Sequence, residues 1–363
     1  MGSVNGTTAT SNTHTTNVNL YQGTVSGELY GGGLGDNTPS AEVAANVYGT
    51  VTVTTKGGTA HNVFGSNNLY GAPQQTVTVQ IDGGTFSGNV YGGGNLAAYG
   101  TALAPGTATV NMTGGQAVNV FGGGYGETAI VTGNTAVTIS GGTVTNNVYG
   151  GGDAANLTGN AGVTVSGGTV SKAVYGGGNM ANVSNNSTVN ITGGTISGDN
   201  TSFGSVRGAV FRGGFGNTKL VGGTVNVYIN GNSTITGDVY GGSAKGKVNT
   251  TDGSSLTTDA VTNVTVSGGT INGDVYGGGL GDNTYAADVY GPVTVTTSGQ
   301  VINSNGVLTS ATNVVNVFGG NNIKGTPKST IAVNIGGGII SSSIYGGGNA
   351  AAYTGNPAVS MSA

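Results

Sequence analysis

The chain repeats one phrase about eleven times, at a spacing of roughly 26–36 residues. The phrase is a Val-Thr-Val alternation, a Gly-Gly-Thr step, an Asn-Val-Tyr triplet and a Gly-Gly-Gly-Asn turn. A clear copy runs from Val77 to Asn95, and others open at Val137, Val163 and Val264. A unit this short cannot enclose a core alone. It must stack on its neighbours, so length adds turns rather than domains.

Composition narrows the class. The 76 glycines carry no G-X-Y phase, which removes the collagen triple helix. Charged residues are 6%, with nine Lys+Arg against 13 Asp+Glu and a net charge of −4, too few cations to neutralise a phosphate backbone. Nucleic acid is therefore not an expected partner. With no cysteine, disulfides, thiol catalysis and thiolate zinc sites are out. No apolar run is long enough for a membrane-spanning helix. Met1-Gly2-Ser3 lacks a basic and apolar leader behind it, and reads as a start codon and cloning scar on an excised fragment.

Each unit opens with a period-two strand, among them Val18-Asn19-Leu20, Val110-Asn111-Met112, Val189-Asn190-Ile191 and Val333-Asn334-Ile335. Flanking β-branched residues point inward, and the middle Thr or Asn points to solvent. The Gly-Gly pair supplies positive φ at a corner. A second short strand, the Val-Tyr pair and the triple-glycine turn then close the circuit. The fold expected is all-β: a right-handed parallel β-helix of about eleven coils of roughly 27 residues, the hand following the parallel-crossover rule. The alternative is two stacked antiparallel sheets with Gly-Gly hairpin turns. An Asn/Asp ladder before the aromatic step (Asn46, Asn62, Asn89, Asn119, Asn147, Asp238, Asp274, Asn316) is placed to bond coil to coil.

Residues 1–17 read as the scar and N-terminal edge, and 18–363 as one continuous solenoid. Loop insertions are expected at 96–107, 199–219 and 298–313. The second holds both arginines, Arg207 and Arg212, with Lys219 nearby, a candidate binding loop. A longer repeat lies above the short one: 29–55 returns near 275, a super-repeat of roughly 250 residues that suggests a piece of a longer array.

The aromatic ladder is the candidate binding stripe: Tyr91, Phe121, Tyr149, Tyr175, Phe211, Tyr240 and Tyr276, with Tyr30, Phe64, Phe318 and Tyr345 continuing it. If the preceding Val faces inward, the rings face outward and could meet sugar faces or a second fibre. The other reading is a stack that only rigidifies the scaffold, which the exchange of Tyr for Phe favours. Repeated Thr-x-Thr steps such as Thr50–Thr54 resemble ice-binding faces, but Asn interrupts the rows at 19, 111, 190, 226 and 334. GGLGDN, at 32–37 and 278–283, resembles a calcium nonapeptide with Asn where an Asp is needed, so Asp36 and Asp282 read as turn formers. His14 and His61 occupy unrelated places and the acids are sparse, so no nucleophile–base pair is legible and the chain reads as no enzyme.

Architecture and composition together resemble the β-helical passenger and stalk regions of bacterial surface adhesins, of the autotransporter and large repetitive kind. The resemblance implies a secreted or cell-surface rod without a cofactor, displaying a surface to a host or bacterial glycan or protein. End-to-end or lateral self-association is also open, and no membrane insertion is implied. The alternatives are a glycan-binding or glycan-cleaving β-helix of tailspike or lyase type, and a self-assembling filament subunit.

Overall fold

The computed structural model describes residues 15–38, 42–102, 105–199, 208–211, 213–302 and 308–362. The chain divides into two compact units, Met1–Val163 with Gly177–Ser184, and Thr164–Gly176 with Asn185–Ala363. Among the described residues there is no helix, and so none long and apolar enough to cross a membrane.

In the first unit the long strands Thr15–Leu20, Thr50–Ala60, Val77–Phe86, Gly106–Met112 and Gly133–Ile139 lie parallel. Their register sets Val18, Val53, Val79, Val110 and Val137 in one row. The short strands from Leu29–Tyr30 to Val148–Tyr149 form a second parallel ladder. Single bridges Tyr99–Val131–Leu157–Val183 make a third inward row.

The second unit repeats the plan. Strands Ser187–Ile196, Val225–Ile229, Thr262–Val266, Val293–Thr297, Ile331–Ile335 and Ala358–Met361 pair in parallel, aligning Val189, Val227, Val264, Val295, Val333 and Val359. The short ladder runs from Val174–Tyr175 to Ile344–Tyr345, and the third inward row is Val221–Val248–Val289–Pro327, with Phe215–Ala244–Leu280–Asn322–Asn349 a further row four residues beyond the rings. Parallel pairing throughout these ladders removes the stacked antiparallel alternative. Each unit is therefore solenoid-like, with coils bonded one to the next.

Burial follows the alternation that the sequence sets. Val137, Val163 and Val189 are fully buried, while Thr138, Thr164 and Asn190 are half-buried. These outward residues are not fully exposed because a neighbouring strand lies about 4.8 Å to each side. The Gly-Gly step differs from expectation. Strands Thr50–Ala60, Val77–Phe86 and Ser187–Ile196 run through it instead of stopping. Its second glycine takes a left-handed φ (+75° at Gly58, +102° at Gly84), so the strand kinks without breaking.

The described parts of the insertions are placed as follows. Segment 96–107 carries Tyr99, which is buried and donates its hydroxyl to the Gln75 carbonyl at 2.9 Å. Asp199 and Gly208 exchange antiparallel backbone bonds of 2.8 and 3.1 Å, closing one excursion. Within 298–313, Gln300–Ile302 and Leu308–Ala311 pair as an antiparallel hairpin.

Candidate functional site

The aromatic ladder stacks as its spacing requires. Centroids are 4.9 Å apart for Tyr91–Phe121, 4.7 Å for Phe121–Tyr149 and 4.8 Å for both Phe211–Tyr240 and Tyr240–Tyr276, with planes within 7° of parallel. Coil spacing imposes this face-to-face arrangement. However, the rings do not make a surface stripe. Tyr91, Phe121, Tyr149, Tyr175, Phe211, Tyr240 and Tyr276 are all buried, none more than 4% exposed. Period-two alternation does not survive a corner: the Val-Tyr strand is two residues long and the triple-glycine turn follows at once, so both side chains lie inside. A residue four beyond the ring in the next coil covers the ladder edge-on, as Tyr125 covers Tyr91 and Phe215 covers Tyr175 at 5.7 Å.

Four Tyr hydroxyls follow a pattern that sequence inspection missed. They reach the residue closing the triple-glycine turn two coils on: Tyr30 to Asn95, Tyr91 to Asp153, Tyr240 to Asn322 at 3.0 Å and Tyr276 to Asn349 at 3.3 Å. Phe64 and Phe211 stand where that closing residue is Tyr125 or Leu280. The correlation of Tyr or Phe with a residue about 60–80 positions later is partial, since Ala244 stands in that place for Tyr175 and Asn179 for Phe121, and it is visible only once the coils are in register.

The amide ladder runs beside the rings. The Asn119 amide and backbone N–H donate to Asn89 Oδ1 at 2.9 and 3.1 Å, and Asn119 Oδ1 accepts from Asn147 N–H at 3.0 Å. In the second unit Asp238 Oδ1 accepts from Asp274 N–H at 2.9 Å, and Asp274 Oδ1 from Asn316 N–H at 3.1 Å. Asn46 is not a member: its Oδ1 accepts from Ala72 N–H at 3.1 Å in another row. Glu28 takes that place instead, preceding Leu29, which pairs with Val63.

Asp238 and Tyr240 form the most perturbed pair. Tyr240 donates to Asp238 Oδ2 at 2.9 Å and Tyr276 to Asp274 Oδ2 at 3.1 Å. Burial, with the Asp274 charge adding, pushes the Asp238 carboxyl up to about 6 against the pull of the Asp274 N–H and the Tyr240 hydroxyl. Burial likewise holds the phenols of Tyr91, Tyr240 and Tyr276 well above the usual range. These groups bond each other inside the stack, so their chemistry is coil-to-coil cohesion.

The solvent face of the long strands presents a different surface. In the second unit the register aligns Thr188, Asn226, Asn263 and Thr294 in one row, and Asn190, Tyr228, Thr265 and Thr296 in the next. Neither row carries an ionised side chain. Tyr228 alone in them is apolar and open, 39% exposed, with Asn226 and Asn263 bonded at 2.8 Å in the adjacent row. In the first unit Thr52, Thr78 and Thr109 align, beside Thr54, Gln80, Asn111 and Thr138. Uncharged hydroxyls and amides around one ring can bond and stack on a polyhydroxylated ligand.

The other candidates are placed as follows. Arg207 and Arg212 lie outside the described residues. Lys219 is half-buried, and its carbonyl accepts from Lys247 N–H at 2.9 Å. Asp36 and Asp282 are turn formers, their Oδ1 atoms accepting from Thr38 N–H at 2.9 Å and Thr284 N–H at 2.8 Å. His61 Nδ1 and Ser87 Oγ stand 3.0 Å apart on adjacent coils, a contact the sequence did not suggest. Both are exposed, and no third group holds that imidazole among the described residues, so the pair lacks the orienting partner of a charge-relay set.

No family model, curated protein or solved structure matches this chain.

Proposed function

We propose that the chain is a structural and adhesive segment of a large repetitive bacterial cell-surface or secreted protein, with no catalytic role. In this reading each unit winds as a right-handed parallel β-helix, the hand that parallel crossovers favour. The observation that carries the adhesive half is the uncharged face around Tyr228, where Asn190, Asn226, Asn263 and Thr265 surround an open ring. A neutral glycan fits that chemistry: the ring stacks on the apolar face of a sugar while amides and hydroxyls meet its hydroxyl groups. Without ionised groups, such binding is insensitive to salt.

A glycan array probed with the wild type and with Tyr228→Ala tests this. The reading expects retention on neutral glycans that survives high salt, and that falls at least about tenfold in the variant, a loss of about 1.4 kcal/mol. No retention on any glycan, or retention that ignores Tyr228 and vanishes with salt, overturns it.

A further inference from the structure

One member of the amide ladder is not satisfied by the ladder. Side chains in this row accept from the backbone N–H of the next coil. Asn89 N–H donates to Asn62 Oδ1, Asn119 N–H to Asn89 Oδ1 at 3.1 Å, and Asn147 N–H to Asn119 Oδ1 at 3.0 Å. The acceptors therefore point along the chain, toward later coils. Glu28 heads the row and lines a cavity of about 200 Å³ with Asn62, Phe64, Asn95 and Tyr125, which belong to the three following coils. The cavity thus lies on the flank of the first unit, with walls from four successive coils.

Asp274 holds the corresponding place in the second unit, before Val275 as Glu28 stands before Leu29. Its Oδ1 accepts from the Asn316 backbone N–H and side-chain amide at 3.1 and 2.8 Å, and its Oδ2 from the Tyr276 hydroxyl at 3.1 Å. Both oxygens are engaged within the ladder. Glu28 is one methylene longer, which carries its carboxylate past such partners. Its Oε2 is buried and accepts no hydrogen bond among the described residues. A buried carboxylate oxygen without a donor is costly, so the place calls for a donor from outside the chain. The Glu28 charge adds to burial in holding the Tyr30 and Tyr91 phenols above their usual range, so its field falls on the ring edges.

The walls select the donor. Phe64 stacks between Tyr30 and Tyr91 at 5.0 and 4.8 Å and brings no hydroxyl, leaving a bare ring edge. Tyr125, 46% exposed and edge-on to Tyr91, forms another aromatic wall. Asn62 Oδ1 keeps a second lone pair beside the one given to Asn89 N–H.

We propose that this cavity binds a primary alkylammonium group, its N–H donors on Glu28 and Asn62 Oδ1 and its methylenes against Phe64 and Tyr125. The volume suits a short aliphatic amine. Calcium takes about six to eight oxygens, and one carboxylate and two amides between aromatic rings do not supply them. The inference is independent of the glycan reading, which rests on Tyr228 in the second unit.

The probes are n-butylammonium, a free amine, and Nα-acetyl-lysine methylamide, which carries the same group on a residue. Each is titrated against the full chain by saturation-transfer NMR, with n-butanol as the uncharged control. Saturable binding of n-butylammonium is expected, with n-butanol at least about tenfold weaker. Glu28→Gln keeps the side-chain length, removes the charge and raises the dissociation constant at least about tenfold. Tyr125→Leu, at an exposed position, weakens binding as well, because the aromatic face is lost. Circular dichroism of both variants checks that the strands persist. Binding of both probes supports the proposal and admits a partner's lysine side chain; binding of n-butylammonium alone supports it and restricts the ligand to free amines. No saturable binding of n-butylammonium, equal binding of n-butanol, an unchanged affinity in Glu28→Gln, or calcium binding tighter than either amine at this site overturns it.

Discussion

Asp238 shows what happens at a ladder position when a carboxylate stands where Asn62, Asn89, Asn119, Asn147 and Asn316 place an amide. Its carboxyl is raised to about 6 by burial, above the ordinary aspartate value of about 3.9. A carboxyl raised in the folded state favours folding most when protonated, so the contribution is full below about pH 4 and is lost as pH rises through about 6. The second unit is expected to melt higher at pH 5 than at pH 7, with the difference on the order of 1–2 kcal/mol. Asp238→Asn should raise the pH 7 melting temperature and flatten that pH dependence, because asparagine still accepts from Asp274 N–H and can donate to Tyr240. A destabilised variant at pH 7 would show that the charge, not the hydrogen bond, is needed. The ladder itself was legible from period alone, but Asn46 was misassigned because Asn-Val-Tyr also occurs at a second place in the circuit (Asn46–Tyr48, and Asp288–Tyr290 with Asp). Ring direction was not legible at all, since Val and Tyr flank a corner where alternation stops.

At the level of elements, stability resides in rows rather than in single strands. Asn119 bonds the coil on each side, so Asn119→Ala removes one of the two bonds to Asn89 Oδ1, the backbone N–H remaining, and leaves Asn147 N–H without its partner. The expected loss is about 1–3 kcal/mol, read by urea denaturation. Val264 is fully buried between Val227 and Val295, and Val264→Asp places an unpaired charge in that row. Hydrogen exchange should then show lost protection in the Val225–Ile229 and Val293–Thr297 strands as well as in their mutated neighbour; confinement of the loss to one strand would contradict coil-to-coil coupling. The long strands and their inward valines were readable because β-branched alternation is strict there. The third inward row at Tyr99, Val131, Leu157 and Val183 was not, because each coil supplies it only an Ala-x-apolar step (Ala97 before Tyr99, Ala129 before Val131, Ala155 before Leu157, Ala181 before Val183), too short an alternation to stand out from a loop. The triple-glycine step has a clear physical reason in the same terms: a Cβ on Gly122 would strike the Gly150 carbonyl oxygen of the next coil.

At the scale of the molecule, a chain with 6% charged residues has few charges to fix its pairing and depends on strand register for a specific fold. The central claim is parallel, in-register stacking of coils, and the absence of natural cysteine makes it directly testable. Cysteines are introduced in pairs at facing positions, Thr52 with Thr78 in the first unit and Asn263 with Thr294 in the second. Diagonal controls pair Thr52 with Gln80 and Asn263 with Thr296. Facing positions lie about 5 Å apart and diagonals about 8 Å, on either side of the disulfide limit near 7 Å. The account predicts rapid disulfide formation on oxidation in both facing pairs and little in the controls. Cross-linking of the diagonals in preference to the facing pairs, or of neither, would contradict it.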